Sequence, residues 1–191
     1  EGEVISGEAS EALLKFIRSV NSERRGARRP ATITGIGKDE YFIEASSPPR
    51  HLLILGAGAD AIPLADLAHR IGWKVTVADH RPAYATEERF PSADRIVVGR
   101  PEGMIGRLAP DRGVAAVVMS HNFDNDKEYL KGLLAERIDY IGALGPRVRT
   151  EEMLDAIAKE AGDLSGSALR NLHGPVGLDI GGTDPESIAV A

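Results

Sequence analysis

The sequence predicts an α/β protein with a doubly wound parallel sheet, and three observations carry that expectation. An apolar run, Leu52 to Leu55, leads directly into the glycine turn Gly56-Ala57-Gly58-Ala59-Asp60-Ala61. A segment over 59–71 follows with apolar residues at helical spacing (Ile62, Leu64, Leu67, Ala68, Ile71), and a second apolar run, Val75 to Ala78, ends on Asp79. Beyond Asp79, short apolar runs keep alternating with amphipathic stretches, among them the fully apolar Val114 to Met119, which reads as a central strand buried on both faces. Strand, turn, helix, strand and acid in this order describe a dinucleotide-binding βαβ unit, so the sheet is Rossmann-like.

Each position in the turn has a physical reason. Gly56 lets the chain leave the strand sharply, and Gly58 leaves room for the backbone to approach a pyrophosphate. Ala61 is the third small position, where helix and strand pack. Pro63 falls in the first helical turn, where its missing N–H had no helical partner. The helix start directs free N–H groups and a positive dipole end toward a phosphate. Asp79, 23 residues after Gly56, is placed to accept hydrogen bonds from a ribose diol, which favours NAD over NADP, and Arg81 softens that preference. Asp60 puts negative charge where a phosphate would sit, and reads alternatively as a helix-capping acid.

Taken in order, residues 1–47 form a small N-terminal piece. Ser10 is placed to cap a helix carrying Leu13, Leu14, Phe16, Ile17 and Val20, and a basic run follows over 23–29. Thr32 to Thr34 and Tyr41 to Ile43 flank a glycine-containing turn and read as a β-hairpin, after which Ser46-Ser47-Pro48-Pro49 reads as a linker. The second domain, 48–191, holds the βα alternation. Its later strands are expected at Arg95 to Val98, Val114 to Met119, Tyr140 to Gly142 and Val176 to Ile180. Helices are expected at Pro101 to Leu108, Asp124 to Leu134, Glu151 to Ala161 with Thr150 as cap, and from Ser187 onward.

Right-handed crossovers give the strand order 3-2-1-4-5 with an extra strand at one edge. Ligands of such sheets lie beyond the strand carboxyl ends, at the switch between the first strand and the one ending at Met119. That ranks the loops. After the glycine turn comes Ser120-His121-Asn122, offering a hydroxyl, an imidazole and an amide; His121 is the one weak catalytic candidate, as a proton carrier. Next comes 142–149, where Gly142 and Gly145 allow close approach and Arg147 and Arg149 suit phosphate or carboxylate oxygens. No metal-ligand spacing is present around His173 and Asp179.

Composition narrows the function classes. Apolar residues make up 42% and charged residues 27% of 191, the balance of an ordinary globular protein. The net charge of −6 argues against nucleic acid as a partner. With no cysteine, disulfides, thiolate metal sites and thiol nucleophiles are excluded within the chain. No membrane span or signal peptide is visible, so a cytoplasmic location is the expectation. The first residue is Glu1, which reads as a chain missing residues before it. Apolar faces on the N-terminal helix and hairpin are compatible with a homodimer.

Six runs in order, LLILGAGADAIPLADLA, VTVADHRPAYA, ERFPSAD, VVMSHNFDND, YIGALGPRVRTEEML and LHGPVGLDIGGTDPESIAVA, resemble the C-terminal Rossmann domain of the XdhC/CoxI family. The resemblance runs from about Pro49 to the end. It implies an accessory factor that binds molybdenum cofactor (molybdopterin or a dinucleotide form of it) and assists its insertion into a molybdenum hydroxylase such as xanthine dehydrogenase, with a cysteine desulfurase as a further partner. Gly56, Gly58 and Ala61 would then shape a phosphate turn, Asp79 and Arg81 would meet a ribose, and Ser120, His121, Asn122, Gly145 and Arg147 would face the reactive end. Typical members also carry an N-terminal domain with a glycine-rich, cysteine-containing motif, which this cysteine-free chain lacks. The competing readings from the residues alone are an NAD- or NADP-dependent oxidoreductase and a structural domain whose nucleotide site is degenerate.

Overall fold

The computed structural model describes residues 49–108, 110, 113–162 and 166–191, the backbone of two strands before them, and the helical positions Glu11 and Lys15. The rest of the expected N-terminal helix, with its apolar face, and the basic run over 23–29 lie outside the described residues. The chain divides into two compact units, Glu1–Pro48 and Pro49–Ala191.

In the first unit, β1 (Ala31–Ile36) and β2 (Asp39–Ile43) pair antiparallel, with Thr32 opposite Phe42 and an irregularity between Thr34 and Ile36. The expected hairpin is present.

The second unit is a six-stranded, all-parallel sheet. Its strands are β3 (His51–Leu55), β4 (Lys74–Asp79), β5 (Arg95–Val98), β6 (Val114–Val118), β7 (Tyr140–Ala143) and β8 (Leu172–His173). The spatial order is β5-β4-β3-β6-β7-β8, which is the expected 3-2-1-4-5 with one strand added beside β7. The helices are α1 (Ala61–Arg70), α2 (Met104–Leu108), α3 (Phe123–Ala135), α4 (Arg147–Ala161), α5 (Gly166–Leu169) and α6 (Pro185–Val190).

Period-two alternation divides the core between the two faces of this sheet. In β3, Leu53 and Leu55 face one side and Leu52 and Ile54 the other. In β6, Val114, Ala116 and Val118 join the first side and Val117 the second, with Met119 just past the strand end beside it. The first side is covered by Met104 and Ile105 of α2, by Tyr129, Leu130 and Leu133 of α3, and by Met153 and Ile157 of α4. The second is covered by α1, whose Ala61, Ala65 and Ala68 recur at i, i+4 and i+7 and let the helix lie close to the sheet. Among the described residues, no helix is long and apolar enough to cross a membrane.

Two boundary expectations are corrected. The last strand is Leu172–His173 and not 176–180, which is irregular; Val176 instead packs over Gly142, where an added Cβ would overlap Val176 Cγ2. Helix α4 begins at Arg147, with Pro146 at its N-cap, so Thr150 is no cap. Its side chain is buried beneath Gly174, whose own Cβ would overlap Thr150 Oγ1. The helix start makes no side-chain capping hydrogen bond, and Thr150, one turn in, is used for packing.

Candidate functional site

The carboxyl ends of β3, β4, β6 and β7 meet at one mouth, and its centre is the glycine turn. Gly56 has φ +120°, a region that side-chain-bearing residues avoid, and its Cβ would sit 2.5 Å from the Met119 carbonyl oxygen. Gly56 is therefore glycine because β3 leaves the sheet against the end of β6. Its N–H donates to the Ala78 carbonyl at 2.8 Å, and the next amide, Ala57, donates to Asp79 Oδ2 at 2.7 Å. Two amides of the turn are thus committed within the protein. Ala61 is fully buried between helix and sheet, as a third small position requires.

Asp79 does not stand at the mouth as a ribose acceptor. Its side chain is fully buried. Oδ1 accepts from the Arg81 amide (2.8 Å) and Nε (3.0 Å), and Oδ2 accepts from Ala57 and from the second Arg81 guanidinium nitrogen (2.8 Å). His80 Nδ1 lies 3.1 Å from Oδ1. Burial alone would raise the Asp79 pKa, but the Arg81 guanidinium and the two amides together hold it below its ordinary value. The same pairing raises the Arg81 pKa. Arg81 also stacks on Tyr84, 3.9 Å from the ring centre. The pair ties β4 to the glycine turn, so its first role is to hold the loop's shape.

Asp60 occupies the N-cap position of α1 but makes no capping hydrogen bond. Its side chain turns back over the glycine turn, so that Oδ1 lies 2.6 Å from where a Gly58 Cβ would be. Oδ2 pairs with His121 Nε2 at 2.7 Å. Asp60 is 6% exposed, and Oδ1 is buried without a hydrogen-bond partner among the described residues. A buried acceptor without a donor costs about 1–3 kcal/mol. His121 is held at φ 59°, left-handed backbone, with 60% of its side chain exposed. Such a residue carries of order 1–3 kcal/mol of strain and recurs at binding sites.

The expected trio after β6 divides among three partners. Ser120 is buried, and its hydroxyl and amide donate to Asp126 Oδ1 at 2.5 and 2.9 Å. His121 reaches back to Asp60. Asn122 caps α3, accepting from the Asn125 amide at 3.0 Å. Asp126 Oδ2 accepts from Arg149 at 2.8 Å, which joins the 142–149 loop to this cluster. Gly145, at φ +115°, packs on the Arg149 stem, its Cβ position 3.0 Å from Cδ. Arg147 belongs elsewhere: it lines a hollow of about 400 Å³ with Thr150, Glu151, Leu154 and His173. The structure therefore sets Gly56, Gly58, Arg81, His121, Asn122 and Gly145 around one mouth, with Ala61, Asp79 and Ser120 buried beneath it, while Arg147 lines the separate hollow.

Three residues of the mouth escaped the sequence reading. Asp126 opens the buried stripe Asp126, Tyr129, Leu130, Leu133 of α3; an acid on the apolar spacing was the available signal. His80 and Asn125 lie 3.3 Å apart at the rim, between β4 and α3. Behind them, Tyr129 is wholly buried and its hydroxyl has no partner among the described residues. Burial, and then the nearby Asp79 and Asp126 charges, drive its pKa well above the ordinary phenol value. Replacing Tyr129 with phenylalanine is expected to leave stability unchanged or raise it by up to about 1 kcal/mol, because it removes an unmet donor and keeps the ring. Thermal melting reads this, and a clear drop in Tm would show that the hydroxyl does have a partner.

Comparison with known proteins places the whole second unit. Residues 52–191 match the family model described as the XdhC Rossmann domain. The chain is 37% identical over 150 residues to a probable xanthine dehydrogenase component of Bacillus subtilis, covering 78% of this chain and 43% of that protein. It is 27% identical over 168 residues to the uncharacterized protein YqeB of Escherichia coli, covering 88% and 30%. A solved structure described as a xanthine dehydrogenase from Bacillus halodurans superposes with a TM-score of 0.67 at 34% identity, over 75% of this chain and 42% of that one. The chain thus spans less than half the length of these relatives. By the extent of these matches, the chain belongs to the XdhC family, whose Rossmann domain its residues 52–191 form.

Proposed function

We propose that this protein binds molybdenum cofactor and helps to mature and insert it into a xanthine dehydrogenase-type hydroxylase. The observation that carries this reading is the family match across the entire Rossmann unit. The mouth supports it in kind. His80, His121 and Asn122 are exposed there, and Arg81 and Arg149 stand partly exposed behind them. Such side chains can orient a polar heterocycle by hydrogen bonds while the buried pairs beneath them keep the loops in place. The bound cofactor would supply the metal–dithiolene chemistry of the hydroxylase; the residues of this chain would hold it and limit water access. A cysteine desulfurase is the natural second partner, because the cysteine-free chain has no thiol of its own to carry sulfur. A location in the cytoplasm and a homodimeric state belong to the same proposal.

The chain, titrated with molybdopterin, is expected to bind it saturably and to speed reconstitution of apo-hydroxylase. Binding is followed by the fluorescence of the oxidised pterin, reconstitution by hydroxylase activity. Absence of both effects sinks the reading. Hydride transfer from NADH or NADPH to a small carbonyl by the isolated chain would replace it with the oxidoreductase.

A further inference from the structure

The glycine turn has the outline of a diphosphate seat, yet the space that Gly58 leaves open is already taken. Asp60 Oδ1 lies 2.6 Å from the Gly58 Cβ position, and the His121 ring carbon Cδ2 lies 3.7 Å from it. The occupant is an acceptor, buried and without a donor. A phosphate oxygen brought to the same place would set acceptor against acceptor and negative charge against carboxylate. A ligand N–H brought there would supply the one hydrogen bond that Oδ1 lacks. The contact that holds the carboxylate in place comes from His121, whose left-handed backbone aims the imidazole back across the mouth to Oδ2, 2.7 Å away. Two independent features, a displaced N-cap side chain and a strained histidine on another loop, converge on that point. The amides of Gly56 and Ala57 point into the protein and do not compensate.

We propose that Asp60, held by His121, is the specificity-determining residue of the turn: it bars the diphosphate of a dinucleotide and selects a ligand that presents N–H donors, such as the aminopyrimidinone edge of a pterin. The second half rests on the cofactor-handling reading above; the first does not. Any phosphate on the cofactor then sits away from the glycine turn.

The test uses ADP as the diphosphate probe and pterin as the donor probe, with the unaltered chain, Asp60→Ser and Asp60→Asn. Serine removes charge and bulk and is a residue type suited to the N-cap position; asparagine keeps the shape and offers an amide donor. Circular dichroism checks that each is folded. Calorimetry should find no ADP binding by the unaltered chain up to about 1 mM, and a gain of at least tenfold in Asp60→Ser, which is about 1.4 kcal/mol. Asp60→Asn, the variant least apt to disturb packing, should gain at least about threefold, half a decade on the same scale. Fluorescence titration should find pterin bound at least tenfold more weakly by Asp60→Ser than by the unaltered chain. ADP binding by the unaltered chain, or no gain in either variant, overturns the exclusion. Equal pterin binding by the unaltered chain and Asp60→Ser overturns the donor selection. Should the unaltered chain ignore pterin and molybdopterin alike, the cofactor reading and the donor half fail together, while the ADP comparison still decides the exclusion.

Discussion

Asp79→Ala is expected to lower the free energy of unfolding by about 3–5 kcal/mol, the usual result of removing one partner of a buried, hydrogen-bonded ion pair. The carboxylate receives the Ala57 amide, the Arg81 amide and two nitrogens of the Arg81 guanidinium. Alanine leaves all four donors without it. Arg81 is one-third exposed and can turn partly to water, which favours the lower end of that range. A ribose-binding acid facing solvent would behave differently, since surface substitutions usually stay within about 0.5 kcal/mol. Urea unfolding followed by circular dichroism separates the two roles, and a loss below about 1 kcal/mol would assign Asp79 to ligand contact alone.

The acid limb of stability gives a second view of the same pair. The folded pKa of Asp79 lies below its unfolded value. Its stabilisation is therefore complete above the unfolded pKa of about 3.9 and is lost as pH falls through the lower folded value. Glu160, held at about 2 by hydrogen bonds from Lys127 and Lys131, titrates in the same acidic window. The measurement is thus a difference: between pH 5 and 2 the unaltered chain should lose more stability than Asp79→Ala, and parallel curves would refute the assignment.

Gly56→Ala should cost about 2–5 kcal/mol, whereas Gly58→Ala should cost about 1 kcal/mol or less. At Gly56 the new Cβ meets main-chain atoms at the end of β6, 2.5 and 2.6 Å away, on a backbone at φ +120°. Left-handed strain of about 1–2 kcal/mol adds there to overpacking of about 1–3 kcal/mol. Neither atom can move without displacing the central strand. At Gly58 the close neighbour is the end of a flexible side chain, Asp60 Oδ1, which can shift at the expense of its pairing with His121. Denaturant midpoints of the two variants compare them directly, and equal losses would mean that the turn tolerates no side chain anywhere. The two glycines of one motif thus serve different ends: Gly56 serves the sheet, Gly58 the mouth.

Much of the fold was legible in the residues because its signals are local. The apolar run of β3 and the fully apolar β6 each report burial through spacing alone, and the right-handed crossover rule then orders the strands. In α1 the expected apolar set gives way: the buried stripe is Ala61, Ala65 and Ala68, while Leu67 and Ile71 stand exposed. Boundaries were read less well where packing overrode local chemistry. Thr150 has the chemistry of a cap, but the helix starts at Arg147 and Gly174 closes over the threonine. Val176 to Ile180 has the composition of a strand, yet the sheet ends at the pair Leu172–His173, and Val176 fills the space above Gly142.

The sequence by itself determined the architecture, the glycine turn and the family, since these reside in periodicity and in contiguous runs. Only the tertiary structure decided what each acid does. Asp60 finds its partner 61 residues away, Asp126 finds Arg149 23 residues away, and Asp79 turns inward to the turn it was expected to serve from outside. A buried carboxylate takes whichever donors the fold brings within about 3 Å, and spacing along the chain carries no record of that choice.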